Sequence, residues 1–189
     1  MAPPARLRHR SAVTDLGPDP DELERRWQTL RIGTSGAIRC LVQRTSPGVH
    51  ATPAAVVLSR SRGVVGDRWA ASGNPHPEAQ ITLIERRVVE LLLGASVERW
   101  HVSGDNFVVD LDLSVAALPV WTRFAVGDAV IEITPVPHAG CDKFRARLGD
   151  NALRWVNHRT RRDRRLRGVH ARILVGGTVR VGDRLVRSS

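Results

Sequence analysis

The sequence predicts an α+β fold that is mainly β: a curved mixed sheet or β-barrel with peripheral helices. Three observations carry that prediction. Short apolar runs alternate with turns rich in Gly, Pro and Asp along most of the 189 residues. Only about three or four stretches place apolar residues at helical spacing. The strand-like runs, about seven or eight of them, follow one another through turns rather than through regular strand–helix–strand units.

Each element has its own warrant. Residues 1–18 are rich in Pro and Arg and lack periodicity, which predicts a flexible tail. Asp19 suits a helix cap and Pro20 a first helical position, with Asp21 and Glu22 in the first turn. Leu23, Trp27 and Leu30 then share a face, and Gly33 is the expected stop. The tail and this helix make up residues 1–32, and a single domain is expected over 33–187. Ile38, Cys40 and Val42 alternate with Arg39, Leu41 and Gln43, a strand pattern that puts Cys40 in the core beside Ile38. Ala54 to Ser59 is a second strand, Arg62 to Trp69 a Gly-punctuated turn, and residues 70–79 a loop. Thr82 and Glu85 have the spacing of a capping box, followed by a stripe of Ile84, Val88, Leu91 and Leu92 that stops at Gly94. Phe107 to Leu111 is a strand, and Arg123 to Thr134 a hairpin about Gly127-Asp128. Helices are expected after Cys141 and again from Asn151 to His158, with a turn at Gly149-Asp150. A closing hairpin is expected over Gly168 to Arg187.

Composition narrows the function. Hydrophobic residues make up 42%, enough for a core, and no run approaches the roughly 20 apolar residues of a membrane span. The first ten residues contain no apolar signal core, so the expected location is cytoplasmic, away from membranes. The formal charge is +10 and the pI about 11.4, which favours phosphate-bearing partners. Of the 29 basic side chains only Lys143 is a lysine, so a pyridoxal phosphate enzyme, which needs a Schiff-base lysine, is not expected. The two cysteines and seven histidines form neither a CxxC nor an HExxH, which argues against a zinc site.

Cys141 is the main candidate for chemistry. It leaves a strand end, passes Gly140 and enters a helix start, where free N–H groups favour the thiolate. Lys143 and His138 are near in sequence. An inert buried thiol is the alternative. Arg68, in Gly66-Asp67-Arg68, could face an anion, or the triplet could be an ordinary turn. Gly104-Asp105-Asn106 carries the same two readings. The run Arg159, Arg161, Arg162, Arg164, Arg165 and Arg167 could hold a cofactor phosphate, track a nucleic acid or be a solvated loop. Nucleic acid is the weaker reading, because the five Trp and three Phe hardly interleave with the basic run.

In order, these pieces resemble the MOSC domain, the family named after the C-terminal part of molybdenum cofactor sulfurase. They are Gly66-Asp67-Arg68, Gly104-Asp105-Asn106 and Val126-Gly127-Asp128. Pro137-His138-Ala139-Gly140-Cys141-Asp142-Lys143-Phe144, Leu148-Gly149 and Val156-Asn157 follow. Arg165 to Arg172, Gly177-Thr178-Val179 and Val181-Gly182-Asp183 close the set, and the resemblance spans about residues 33–187. It implies a β-rich, barrel-like fold with Cys141 as the functional cysteine. That thiol would either ligate the molybdenum of a pterin cofactor or carry sulfur as a persulfide. It further implies Arg68, Arg145, Arg147, Arg165 and Arg167 as phosphate partners. Asp67, Asn106, His138, Lys143 and Asn157 would be polar neighbours of the cofactor. Some relatives reduce N-hydroxylated compounds, so a small-molecule substrate, an electron-donor reductase and a cysteine desulfurase are the implied partners. Many relatives have Glu where Asp105 stands.

Overall fold

A computed structural model describes residues 17–188, so nearly all of the expected flexible tail lies outside the described residues. Asp19 caps α1 (Pro20–Thr29) through the N–H groups of Asp21 and Glu22. The chain leaves that helix at Leu30 (φ −82°, ψ 134°), ahead of Gly33. There follow β1 (Ile38–Leu41), β2 (Gln43–Ser46), β3 (Val49–Ala51), β4 (Ala55–Ser59), β5 (Gly63–Val64) and β6 (Ile81–Glu85). Next come α2 (Arg86–Leu93), a 3-10 helix over Val97–Ser103, β7 (Phe107–Val109), β8 (Arg123–Val126) and β9 (Ala129–Ile133). Then α3 (Asp142–Val156), a second 3-10 helix over Arg159–Arg164, β10 (Val169–Val175), β11 (Gly177–Arg180) and β12 (Val186–Ser188) complete the chain.

Seven strands form one curled mixed sheet in the order β1-β7-β6-β10-β9-β8-β12, in which only β6 and β7 run parallel. A three-stranded sheet, β11-β4-β5, packs against it. Val56, Leu58, Val64 and Val179 of the small sheet share one core with Leu83, Phe107, Ile131 and Ala171 of the large one. The other face of β1, β6 and β7 lies under the three helices, where Leu23, Trp27, Val88, Phe144 and Trp155 cover Cys40, Ile84 and Val108. The mainly β reading therefore holds. β6 is buried along its whole length because it is covered on both faces.

Four local expectations are corrected. A register shift between Ile38 and Cys40 sends Ile38 and Leu41 to the inner core, and Cys40 and Val42 to the helical side. Cys40 is core, as expected, but not beside Ile38. Thr82 does not open a capping box: it lies within β6, and its hydroxyl bonds Asn106 Oδ1 instead. The helix starts after Glu85, whose side chain makes no cap bond. The closing hairpin does not form either. β10 pairs with β6 and β9, β11 crosses to β4, and β12 joins β8. Finally, short Gly- and Pro-bounded pieces raise the strand number to twelve among the described residues. The expected turn at Gly149 is present as a non-helical residue (φ 87°, ψ 167°) between two helical stretches.

Candidate functional site

Cys141 stands at the N-cap position of α3 with extended backbone (φ −126°, ψ −179°) and is exposed. The loop before it is held by Asn157. Its Oδ1 accepts the Gly140 N–H at 2.8 Å, and its Nδ2 donates to the Gly140 carbonyl at 2.9 Å. The backbone at Gly140 passes close to α3: a Cβ there would lie 2.7 Å from Leu153 Cδ1 and 3.2 Å from Asn157 Oδ1. The sulfur makes no tight capping hydrogen bond, yet it lies in the field of the helix start. Partial burial pushes the thiol up. The backbone N–H groups of Phe144 and Lys143, then the charges of Arg167 and Arg147, outweigh that and hold it below its ordinary value. Cys40 is the contrast: burial pushes its thiol up to about 11.

Two guanidinium groups, Arg167 and Arg147, act on this thiol, and a third, Arg44, acts on Arg147 and on His138. Arg167 sits at the end of the basic run and is 7% exposed along its side chain. Its Nη1 donates to both oxygens of the fully buried Asp105, each at 2.7 Å. Its Cζ lies over the Phe144 ring, 4.8 Å from the centroid, and its Nε is buried with no partner among the described residues. Arg147 comes from α3, six residues past Cys141, and donates through Nε to the Lys143 carbonyl at 2.9 Å. Its guanidinium occupies the space that a side chain at Gly104 (φ 77°) would take. Burial lowers the Arg147 pKa and Arg167 lowers it further, while Asp105 and Cys141 pull it back. Arg44, from β2, grips Asp67 through Nε at 2.8 Å and Nη2 at 2.9 Å.

Asparagine and histidine tie the cluster to the sheet. Asn106 Nδ2 donates to Asp67 Oδ2 at 3.0 Å and to the Val42 carbonyl at 3.1 Å. Its Oδ1 accepts from both the N–H and the hydroxyl of Thr82, which joins Val42, β6 and the Asp67 turn in one buried network. His138 Nε2 is 3.7 Å from Asp105 Oδ1, and its ring packs on His170 with centroids 4.3 Å apart. Burial holds His138 well below the ordinary histidine value, and Arg167, His170 and Arg44 add to that, so it is neutral near pH 7. His138 Nδ1 is a second buried atom without a partner. Together the residues set an exposed, acidified thiol beside a cluster of cations.

With that geometry in place, three comparisons bear on the chain. The family model of the MOSC domain matches residues 74–186. This chain belongs to the MOSC domain family. No curated protein matched it. Among solved structures, the YuaD protein from Bacillus subtilis is similar with a TM-score of 0.59 and 15% identity, over 81% of this chain and 96% of that one. YiiM from Escherichia coli is similar with a TM-score of 0.51 and 16% identity, over 80% and 70%. At these identities the likeness concerns the fold. MOSC domains as a family are associated with molybdenum cofactor binding.

Within this MOSC domain the residues singled out from sequence separate into groups. Cys141, Arg147 and Arg167 converge, and His138 adjoins them through Asp105. Asp67 and Asn106 are buried supports that hold Arg44. Asn157 fixes the loop before Cys141. Lys143 contributes its backbone at the thiol, while the residue is exposed. Arg68 stands beside Asp67, its N–H bonding the Arg44 carbonyl at 2.8 Å. Arg145 pairs with Asp142 at 3.1 Å and Asp150 at 3.7 Å, away from the cluster. Arg165 bonds the Leu118 carbonyl at 2.6 Å. The basic run is not a free stripe: Arg161 and Arg164 close on Glu24, Arg165 on a carbonyl and Arg167 on Asp105. Sequence reasoning missed Arg44 and His170. Neither sits in a punctuated motif, although His170, within Arg165 to Arg172, was in reach. Among the described residues no group of three or more His, Cys, Asp or Glu could hold a metal ion, and no helix is long and apolar enough to cross a membrane.

Proposed function

We propose that this MOSC domain binds a molybdenum–pterin cofactor with the Cys141 thiolate as metal ligand. One observation carries the reading: an exposed, acidified thiol lies in the field of Arg167 and Arg147, which together with the neighbouring Arg44 have donors to spare. Among the described residues Arg147 uses only Nε on the protein, Arg44 keeps Nη1 free and Arg167 keeps Nη2 free. A soft thiolate suits the metal, and planar cations suit a phosphate-bearing ligand. Arg147, Arg44 and Arg167 would hold the anionic part, with Arg68 at the margin. When bound, the group would supply two-electron reduction, with N-hydroxylated small molecules as candidate substrates and a separate reductase as electron source. The chain's own part is to keep Cys141 ionised, to fix its loop through Asn157 and to present neutral His138 beside Asp105. A cytoplasmic setting, which keeps the thiol reduced, goes with this role.

Elemental analysis tests it on protein from a cofactor-producing host. The expected result is near-stoichiometric molybdenum in the wild type and loss in Cys141→Ser. Metal-free wild type, purified where another molybdoenzyme of the same host is loaded, would overturn it. The exposure of Cys141 favours a second reading, a sulfur carrier charged by a cysteine desulfurase. Its sign is a mass gain of one sulfur atom on Cys141 after incubation with desulfurase and cysteine.

A further inference from the structure

A cavity of about 560 Å³ lies next to the Cys141 site, bounded by the 135–139 loop on one side and the 162–169 segment on the other. It shares His138, Asn157 and Arg167 with that site, but Cys141, Arg147 and Arg44 are not in its lining. Its volume is in the range that holds a compact organic molecule. Much of its surface is apolar, from residues such as Val115, Val120, Val136 and Leu166.

The charged part of the lining is unbalanced. Arg162, Arg165 and Arg167 face a single acid, Asp163. Arg167 is neutralised by Asp105. Asp163 forms no ion pair among the described residues; its charge acts on Arg165 without contact, so neither Arg162 nor Arg165 has a carboxylate bound to it. Arg165 is also held in an unusual way. Its backbone is left-handed (φ 48°, ψ 46°), a conformation that side-chain-bearing residues rarely adopt. Its Nη1 reaches the Leu118 carbonyl at 2.6 Å and the Leu113 carbonyl at 3.5 Å, which fixes the guanidinium in the wall without cancelling its charge. The only other non-glycine residue with positive φ among the described residues is Trp121 (φ 69°), which directly follows the lining residue Val120. Backbone strain of this kind collects where a site is built. Here both instances border one cavity.

We propose that this cavity binds a small organic anion: one carboxylate on an apolar body of about the size of a bicyclic aromatic, with the carboxylate taken by Arg165 and Arg162. The site stands on the cavity and its cations, independently of the molybdenum reading.

The test is a titration of the full chain with 2-naphthoate, read by tryptophan quenching and by broadening of the ligand's proton NMR lines. The neutral isostere 2-naphthamide is titrated alongside. Saturable naphthoate binding is expected, with naphthamide weaker by about tenfold, the worth of one charge-assisted hydrogen bond. Arg162→Gln, an exposed position, should weaken naphthoate by about the same factor. Val120→Trp, at the rim, should block both compounds, with circular dichroism confirming that each variant is folded. Absent binding, equal affinity for the two compounds, or naphthoate affinity untouched in both variants would overturn the proposal. Molybdenum is measured on the same samples. Naphthoate binding by a chain that never takes up the metal removes the cofactor reading and keeps this one, and metal uptake without naphthoate binding does the reverse.

Discussion

Two cysteines of one chain are driven in opposite directions by their surroundings. Cys40 has only burial acting on it, and its thiol rises to about 11. Cys141 has burial opposed by two backbone N–H groups and two guanidinium charges, and its thiol falls. Alkylation by iodoacetamide should therefore be confined to Cys141, with its rate half-maximal at a lower pH than for an unperturbed thiol. In Arg147→Ala that midpoint should move upward with little change in melting temperature, because among the described residues Arg147 makes only one side-chain hydrogen bond, from Nε. A midpoint unmoved by the substitution would leave the thiol to the helix start and Arg167. The sequence made Cys141 legible because a lone thiol between Gly140 and a helix start is a local pattern. Arg44 was not legible. It owes its place to Asp67, a partner far along the chain that only the fold brings near.

At the scale of elements, legibility tracks local chemistry. The Asp19 cap, the β8–β9 hairpin about Gly127 and the break at Gly149 each follow from residues within one turn of the feature, and each is present. The expected β10–β11 hairpin failed because strand pairing is decided at a distance. Gly176-Gly177 reads as a hairpin turn, but β11 finds its partner in β4. The apparent capping box at Thr82 and Glu85 failed for a related reason: Thr82 is claimed by Asn106 across the sheet. The loop that delivers Cys141 is an element of its own, clamped by two hydrogen bonds from Asn157. Asn157→Ala should cost about 1–3 kcal/mol by denaturant unfolding, since it removes both bonds and uncovers the Gly140 groups. It should also return the Cys141 alkylation midpoint toward the ordinary thiol value. Asn157→Asp, which keeps the acceptor for the Gly140 N–H, should fall between the two in stability. If the alanine variant kept the wild-type midpoint, the clamp would serve the fold and not the thiol.

The whole molecule is organised around cations turned inward. Glu24 of α1 takes Arg161 at 2.7 Å, Arg164 at 2.6 Å and the Trp155 Nε1–H at 3.3 Å, which ties the first helix to α3 and to the basic segment. Asp105, Asp67, Asp110 and Glu132 likewise bind arginine at buried carboxylates. A chain of formal charge +10 thus has little room for additional positive charge near its site. That bears on its histidines. His50, His138 and His170 are each lowered first by burial. The His101 carbonyl pulls His50 back while Arg147, His101 and Arg44 lower it; Val136 and Asp105 pull His170 back while Arg167 and Arg44 lower it. His138 has only further lowering, from Arg167, His170 and Arg44. All three therefore fold as neutral rings, whereas in the unfolded chain they protonate below about pH 6.5. Below that pH the unfolded state binds more protons than the native state, so stability rises with pH through this window and is lost on acidification. Melting temperature should thus be level between about pH 7 and 8 and decline from about 6.5 downward, before the carboxylates titrate. His138→Gln removes the most strongly depressed of the three and should flatten the decline measurably between pH 6.5 and 5, even if its melting temperature at pH 7.5 is lower. A variant whose melting curve fell with pH as steeply as the wild type would place the acid sensitivity elsewhere, in His50 and His170, and would leave His138 without a part in it.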